Sequence, residues 1–430
     1  MGRRFCAFVI PLVFVSCVPE EPASDGSGTW VGTITTVGNV TTVVNESGSL
    51  WGGTATLVEE ASIGIERGED EYMLGRVSGM AATDERIYVV DAQVPAIRIY
   101  DWDGDFIENL GGMGSGPGEY RSPQAVGVDH DGRIYVYDAD GNRLVTYSAT
   151  GQPIATVGLP CCRVRYEDLM TVTEAGEVYL RGDYPAGGAA ADESPFEARA
   201  RGHMLIQPDG SGGDVLEIPR FEASSVLLRA VGARLVREFV APFHPGPVHV
   251  FAPTPAVVAG FSSVYRFEVR HLDGRVTVIE RRWNPVPLTP EEAAAYRDGV
   301  TTHMRTFDPA WQWGEVGVAP TKPAFNAFVP AMSGELWVVR DGPGYRVEGC
   351  DEEVAEPTRE DMAPCWQQQR IFDVFGADGH FLGEVAVPDQ MRISPRPFIR
   401  GSNLIVVVED QAGTIMVKRY RMVLPGEESR

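Results

Sequence analysis

Asp84-Glu85-Arg86-Ile87-Tyr88-Val89-Val90-Asp91 is followed by Ile97-Arg98-Ile99-Tyr100-Asp101 and then by Asp103-Gly104-Asp105-Phe106-Ile107. The chain contains this pattern a second time. Asp131-Gly132-Arg133-Ile134-Tyr135-Val136-Tyr137-Asp138 leads into Arg143-Leu144-Val145-Thr146-Tyr147 and then Thr150-Gly151-Gln152-Pro153-Ile154. Ile87 and Ile134 lie 47 residues apart. Each copy is a set of short alternating runs of β-branched and aromatic residues. Asp-Gly pairs or close equivalents separate the runs, the strongest short-range hairpin signal. A repeat of roughly 40–50 residues built from such hairpins is the mark of a propeller blade.

Weaker copies follow. Glu177-Val178-Tyr179-Leu180 precedes Asp209-Gly210 and an apolar run at 215–218. His249-Val250-Phe251 and residues 265–269 turn at Asp273-Gly274 into 276–279. Glu335-Leu336-Trp337-Val338-Val339 opens a fifth unit, which ends in 371–375, Asp378-Gly379 and Phe381-Leu382. Residues 403–408 and 415–423 make a sixth. One four-stranded unit has two apolar faces and cannot bury both alone, whereas a closed ring lets neighbours cover each other. The sixth unit is one strand short. Residues 62–66, Ser-Ile-Gly-Ile-Glu, alternate suitably and are expected to supply it from the N-terminal side. The fold class is therefore all-β, a six-bladed β-propeller closed by an N-terminal strand, with one short inserted helix. That helix is expected between the fourth and fifth units. Thr289-Pro290-Glu291-Glu292 offers an N-cap, a first-turn proline and a capping glutamate, and residues 293–304 continue it. Residues 182–195 read as a long loop, and 30–53 as a lead-in hairpin on the outside of the ring.

The strand Arg/Glu-Ile-Tyr-Val-x-Asp, the strand Ile97-Arg98-Ile99-Tyr100-Asp101 and the linker at 110–120, Leu-Gly-Gly-Met-Gly-Ser-Gly-Pro-Gly-Glu-Tyr, resemble the NHL-repeat type of six-bladed propeller, specifically bacterial six-bladed β-propeller lipoproteins. Pro123, Lys322-Pro323 and Asp373-Val374-Phe375 fit the same pattern. The resemblance covers most of residues 58–424. It implies a fold far more than an activity, because function resides in sites grafted onto such scaffolds.

The first residues carry a different message. Arg3 and Arg4 precede an apolar run at 6–15, too short to span a bilayer comfortably. Ser16-Cys17 then gives way to a Pro/Glu/Ser/Gly-rich stretch. This reads as a secretory signal. The cysteine after a small residue is similar to a lipobox, although Phe14 stands where leucine is usual. The resemblance implies cleavage before Cys17 and lipidation of its thiol. The expected organisation is a lipoprotein signal peptide at 1–16, a lipidated tether and lead-in at 17–57, the propeller at 58–424 and a tail at 425–430. The expected location is the cell envelope, with the domain in the periplasm or at the cell surface.

Export puts the remaining cysteines in an oxidising compartment. Cys350 and Cys365 bracket an acidic, irregular stretch, and a disulfide between them closes it, worth roughly 3 kcal/mol on the chain-entropy model. Cys161 and Cys162 either pair with each other in a strained turn or stay reduced. No C-x-x-C spacing supports a zinc site.

The chain has 37 basic and 60 acidic residues, a net charge of −23. That excludes a phosphate-backbone partner, which needs a basic surface. The glycine-rich run at 111–118 contains no lysine and no G-x-G-x-x-G spacing, so it reads as a link between blades. There is no H-E-x-x-H and no G-x-S-x-G. The seven histidines are scattered, and His130 and His380 beside strand turns read as surface. Asp91 and Asp138 end the central strand of their units. They either accept turn amides or converge with other carboxylates on calcium.

A ligand is expected at the mouth of the central channel, with Arg76, Gln124, Arg181, Lys322 and Arg340 as candidate contacts. Lys322 stands out because the chain has only one other lysine, Lys418. The reading is an envelope-anchored, non-catalytic scaffold, expected to be monomeric, that binds a protein, peptide or glycan. It reaches the membrane through the lipid alone and needs no cofactor. One alternative is a metal-dependent hydrolase, lactonase or lyase holding calcium or zinc in the channel. Another is a purely structural envelope protein. Cys17→Ser is expected to move the protein from the membrane to the soluble fraction; unchanged membrane retention on fractionation contradicts lipidation.

Overall fold

In the computed structural model, the described residues are 29–159, 163–164, 170–185, 199–232, 236–350, 362–388, 391–410 and 412–427. Cys17, Cys161, Cys162 and most of the expected loop at 182–195 lie outside them.

Six antiparallel blades follow one another around a ring, the last two joined into one eight-stranded sheet by a strand from the N-terminal side. Blade 1 is Val77–Ala82, Arg86–Asp91, Ile97–Asp101 and Phe106–Leu110, in that order from inside to outside. Blade 2 repeats the order with Pro123–Val128, Ile134–Asp138, Arg143–Tyr147 and Pro153–Gly158. Blade 3 has Met170–Val172 inside, then Val178–Pro185, Arg199–Ile206 and Gly212–Glu217. Blade 4 is Pro247–Ala252, Ala256–Phe261, Arg266–His271 and Val276–Arg281. Blade 5 is Ala327–Pro330, Leu336–Arg346, Trp366–Phe375 and Phe381–Ala386. Blade 6 has three strands of its own, Phe398–Arg400, Asn403–Glu409 and Ile415–Val423. In the two clearest Asp-Gly pairs of the repeat, Gly104 and Gly132 adopt φ of 93° and 76°, where a side chain would be strained.

The core is a series of seams, one between each pair of blades. Tyr88 and Val90 meet Val126 and Val136 between blades 1 and 2. Tyr137 and Leu144 meet Val178 and Leu180 between blades 2 and 3. Tyr179 meets Phe251 and Val257 between blades 3 and 4. Phe267 and Ile279 meet Phe328 and Phe375 between blades 4 and 5. Phe372 and Val374 meet Leu404 and Val406 between blades 5 and 6. Ile405 and Val407 meet Ile87 and Val89 between blades 6 and 1. The second strands, such as Arg86–Asp91 and Ile134–Asp138, are covered on both faces, whereas the outermost strands Phe106–Leu110 and Pro153–Gly158 stay largely exposed.

The fourth strand of blade 6 is Thr54–Ile63. It pairs antiparallel with Ile415–Val423, from Val417↔Ile63 to Val423↔Thr56. The closing strand thus comes from the N-terminal side, as expected, but it lies earlier than residues 62–66. Ala55, Leu57, Ala61 and Ile63 are its buried positions. Gly64 ends it: φ there is 135°, and a Cβ would come 2.5 Å from the Ile415 carbonyl.

The lead-in hairpin, Val31–Val37 and Val40–Ser47, lies outside blade 4, where its second strand runs parallel to Val276–Arg281. Buried Asn45 pins it. The Asn45 side chain donates to the Glu280 carbonyl (3.1 Å) and accepts from Trp30 Nε1 (2.7 Å) and the Phe381 amide (2.8 Å). The chain then pairs briefly in parallel with blade 5, Glu384↔Thr54 to Ala386↔Thr56, before entering blade 6. The N-terminal segment therefore crosses the outer edges of three blades.

Helix α1 spans Pro290–Arg305, and Thr289 caps it, its hydroxyl accepting from the Glu292 amide (3.1 Å). Cys350 and Cys365 form the expected disulfide, with Cα atoms 5.4 Å apart. No helix among the described residues is long and apolar enough to cross a membrane.

Ile63 is fully buried where the ring closes. Ile63→Ala is expected to lower stability by about 2–5 kcal/mol, as for a large-to-small change in a packed core. A chain starting at residue 66 is expected to lose its cooperative thermal transition. An unchanged melting temperature in both contradicts closure by this strand.

Candidate functional site

Strand direction decides which loops share a face. Each inner strand leaves one face of the ring, the second strand returns to it, the third leaves and the fourth returns. Links between blades, and the connections from second to third strands, therefore share one face. Among the described residues the long insertions are of these two kinds: 218–246 and 282–326 between blades, and the connection between Arg346 and Trp366. They belong to blades 3, 4 and 5. The opposite face has short turns, such as 102–105, 148–152 and 272–275.

The insertions form a cap with its own small core. Leu228 and Ala230 of the hairpin Leu227–Val231/Val236–Val240 pack with Val300 and Met304 of α1, Trp311 and Met362. Helix α1 approaches the 347–365 connection so closely that a Cβ on Gly299 would sit 1.6 Å from the Met362 carbonyl oxygen. The Cys350–Cys365 disulfide ties down the same connection.

The candidate residues fall into separate environments. Lys322 is wholly buried and holds the cap to blade 5. Its Nζ lies 3.1 Å from Glu292 Oε1 on α1, donates to the Gly342 carbonyl (2.7 Å) and to Gln368, and faces the Phe243 ring. Gly344 leaves room for the Glu292 carboxylate, since a Cβ there would lie 2.3 Å from Glu292 Oε1. Arg340 is engaged at the seam between blades 4 and 5. It binds Asp373 through Nε (3.0 and 3.1 Å) and Glu384 through Nη2 (2.6 Å). Arg281 (3.0 Å) and the Tyr265 hydroxyl (2.6 Å) complete the shell of buried Asp373. Burial and the Asp373 charge push the Tyr265 phenol well above its usual pKa.

Gln124 is buried in the inner strand of blade 2 and donates to Ser122 Oγ (3.0 Å). Arg76 immediately precedes the inner strand of blade 1, and its amide donates to Asp91 (3.1 Å). Asp91 also accepts from the Gly75 and Gln93 amides (3.0 and 3.1 Å), and Asp138 accepts from those of Arg121 and Ser122. These carboxylates clamp the start of the inner strand to the end of the second. Ser262 does the same in blade 4, accepting from Gly246 (3.1 Å). His130 is exposed, but His380 is partly covered, edge-on to Trp30 at 4.4 Å.

Arg181 belongs to a cluster that sequence reasoning missed. It is the cross-strand neighbour of His203 in blade 3. The His203 ring stacks on Phe251 of blade 4 with centroids 5.1 Å apart, and Tyr179 packs on the same ring at 4.4 Å. His249 lies two residues before Phe251 and so shares its side of the strand. Arg396, on the link into blade 6, donates to the Phe251 carbonyl (3.2 Å). Blades 4 and 6 are not neighbours, so this guanidinium reaches past blade 5 through the ring interior. Both ring nitrogens of His203 are buried without a hydrogen-bond partner. Burial first, then Arg181, Arg396 and His249, lower its pKa to about 3, so the ring is neutral. His203 and His249 are 46 residues apart, close to the repeat period. They occupy different strands of their blades, the third of blade 3 and the inner of blade 4, so the spacing does not mark equivalent positions and the repeat carries no signal that they meet.

Among the described residues, no three His, Cys, Asp or Glu side chains converge as a metal site.

Residues 67–179 match the sequence model of a family described as a 6-bladed beta-propeller. Comparison with curated proteins finds no match. Solved structures with a similar fold include a member of the duf4221 family from Bacteroides vulgatus. It is 10% identical, with a TM-score of 0.44 over 87% of this chain and 99% of that one. Virginiamycin B lyase from Staphylococcus aureus is 10% identical, with a TM-score of 0.35 over 80% and 94% of the two chains. A gluconolactonase from Xanthomonas campestris is 12% identical, with a TM-score of 0.33 over 82% and 87%. At these scores neither the lyase nor the lactonase bears on what this chain does.

The lowered pKa of His203 has a direction that can be measured. The folded state takes up this proton only near pH 3, whereas an unfolded histidine does so near 6.5. Between those values the unfolded chain binds more protons, so stability falls as pH falls, by up to about 1.4 kcal/mol per pH unit from this group. His203→Phe is expected to fold at pH 7 and to flatten that slope in denaturant titrations at pH 7, 5.5 and 4. An identical slope in both proteins contradicts the assignment.

Proposed function

We propose that this chain is an exported, lipid-anchored binding module whose partner docks on the face carrying the insertions. One observation carries the reading: the long connections 218–246, 282–326 and that between Arg346 and Trp366 emerge on the same face, and the hairpin, α1, Trp311 and Met362 pack there into a cap with a core of its own. Short turns suffice to close the opposite face. A ring that served only as a strut would gain nothing from a buried ion pair and a disulfide spent on loops at one face. Binding residues concentrate on loops held by a rigid scaffold, and a propeller is such a scaffold. The partner is a protein, peptide or glycan of the envelope, and the lipid on Cys17 keeps the module at the membrane.

The test is a panel of peptides and glycans presented to the purified domain starting after Cys17, with hydrogen exchange used to footprint each binder. Protection is expected in 218–246 and 282–326, and not in the turns 102–105, 148–152 and 272–275. Protection confined to those turns overturns the docking face. Near-stoichiometric calcium or zinc in the isolated protein, together with turnover of a lactone or ester, overturns the non-catalytic reading.

A further inference from the structure

Between α1 and the extended hairpin of blade 5 runs an open groove of about 650 Å³. Its floor is made of small residues, Ala294 and Ala295 on the helix and Gly344 on the hairpin. Trp366 and half-exposed Tyr345 contribute aromatic surface on the hairpin side. Glu291 and Asp298 contribute carboxylates on the helix side. The volume is in the range that holds a side chain or small ligand. The walls are fixed: Lys322 and Glu292 lock the helix to the hairpin from below, and the Cys350–Cys365 bridge lies immediately before Trp366.

We propose that this groove receives a lysine or arginine side chain from a basic peptide segment of the partner. The proposal rests on the docking face assigned above and names the chemistry of the occupant. A cation gains from an aromatic face on one side and carboxylates on the other, and Trp is the strongest such aromatic. Glu291 lies in the first turn of α1, where its charge also offsets the helix N-terminus. Asp298 lies two turns further on and has no such role. Arg346, also in the wall, is already engaged in a contact of the fold. The long-range field has the same sign. The chain carries −23, and the sequence between the bridged cysteines contains six carboxylates and one arginine. A negative field speeds the arrival of a basic partner and is weakened by salt.

The experiment is calorimetric titration of the purified domain, disulfide intact, with a lysine-rich decapeptide. The same peptide with every lysine acetylated is the control, and both are run at low and high salt. Binding of the unmodified peptide alone is expected, weaker at high salt. The paired change Glu291→Gln and Asp298→Asn is expected to reduce affinity at least tenfold, and Trp366→Ala several-fold. Glu69→Gln with Asp70→Asn and Glu71→Gln, in the acidic link before blade 1, is expected to stay within twofold. If Trp366→Ala fails to fold, the exposed carboxylate pair decides alone. Equal losses in the groove and link variants mean attraction by net charge only and overturn the site, as does equal binding of the acetylated peptide or no binding at all. Footprints elsewhere on the insertion-bearing face sink the groove and leave the docking face standing; footprints only on the opposite face sink the docking face itself.

Discussion

The pairing of Thr54–Ile63 with Ile415–Val423 is the constraint on which the rest of the molecule depends. A four-stranded blade buries apolar side chains on both faces, so any blade without two neighbours leaves a sheet face in water. Blade 6 brings only three strands from the C-terminal part of the chain. Without a fourth, the seam between blades 6 and 1 would lose Ile63, and the Ile415–Val423 strand would present unpaired backbone at an edge. The N-terminal segment removes that edge and ties the start of the propeller to its end, while Asn45 and Thr54–Thr56 bind the same segment to blades 4 and 5. Ring closure and coverage of the outer strands are one continuous piece of chain.

Closure also fixes where the loops go. The up-and-down order sends every blade-to-blade link to one face, so lengthening those links adds material over that face without disturbing a seam. Among the described residues the chain uses this freedom in blades 3–5. The added material is anchored by interactions that are costly to break: Lys322 with Glu292, Gly299 against the Met362 carbonyl, and a disulfide across the blade 5 connection. Removing one partner of a buried ion pair leaves the other charge unpaired, which is what makes such an anchor position-specific. The groove beside Trp366 exists because these contacts set the spacing between the helix and the hairpin.

Much of the ring was legible in the sequence, because the repeat is periodic and its turns are chemically explicit. Asp-Gly pairs, the 47-residue offset and the capping box at Thr289 depend on local backbone chemistry and survive without tertiary knowledge. The sequence leaves Asp91 and Asp138 two possible roles, and the structure gives them turn amides. The sequence pattern puts the closing strand too late because residues 62–66 alternate as well as 54–63 do; the approach of Gly64 to the Ile415 carbonyl separates them. The candidate cations were harder to place. Lys322 was conspicuous by rarity, but its partner Glu292 lies in the inserted helix thirty residues earlier. Arg340 meets Asp373 and Glu384 across strands, and His203 meets Phe251 across a seam. Pairings between blades depend on register and rotation, which a one-dimensional pattern does not contain.

Hydrogen exchange of the free protein addresses the closing strand directly, because exchange reports whether backbone amides open locally or only with the whole fold. The amides of residues 56–63 that bond to Ile415–Val423, about every second one in an outermost strand, are expected to exchange as slowly as those of Asn403–Glu409 in the centre of blade 6, both opening only with global unfolding. Exchange of 56–63 at the rate of an exposed chain, with Asn403–Glu409 still protected, would show a ring that stands without this strand and would contradict the account.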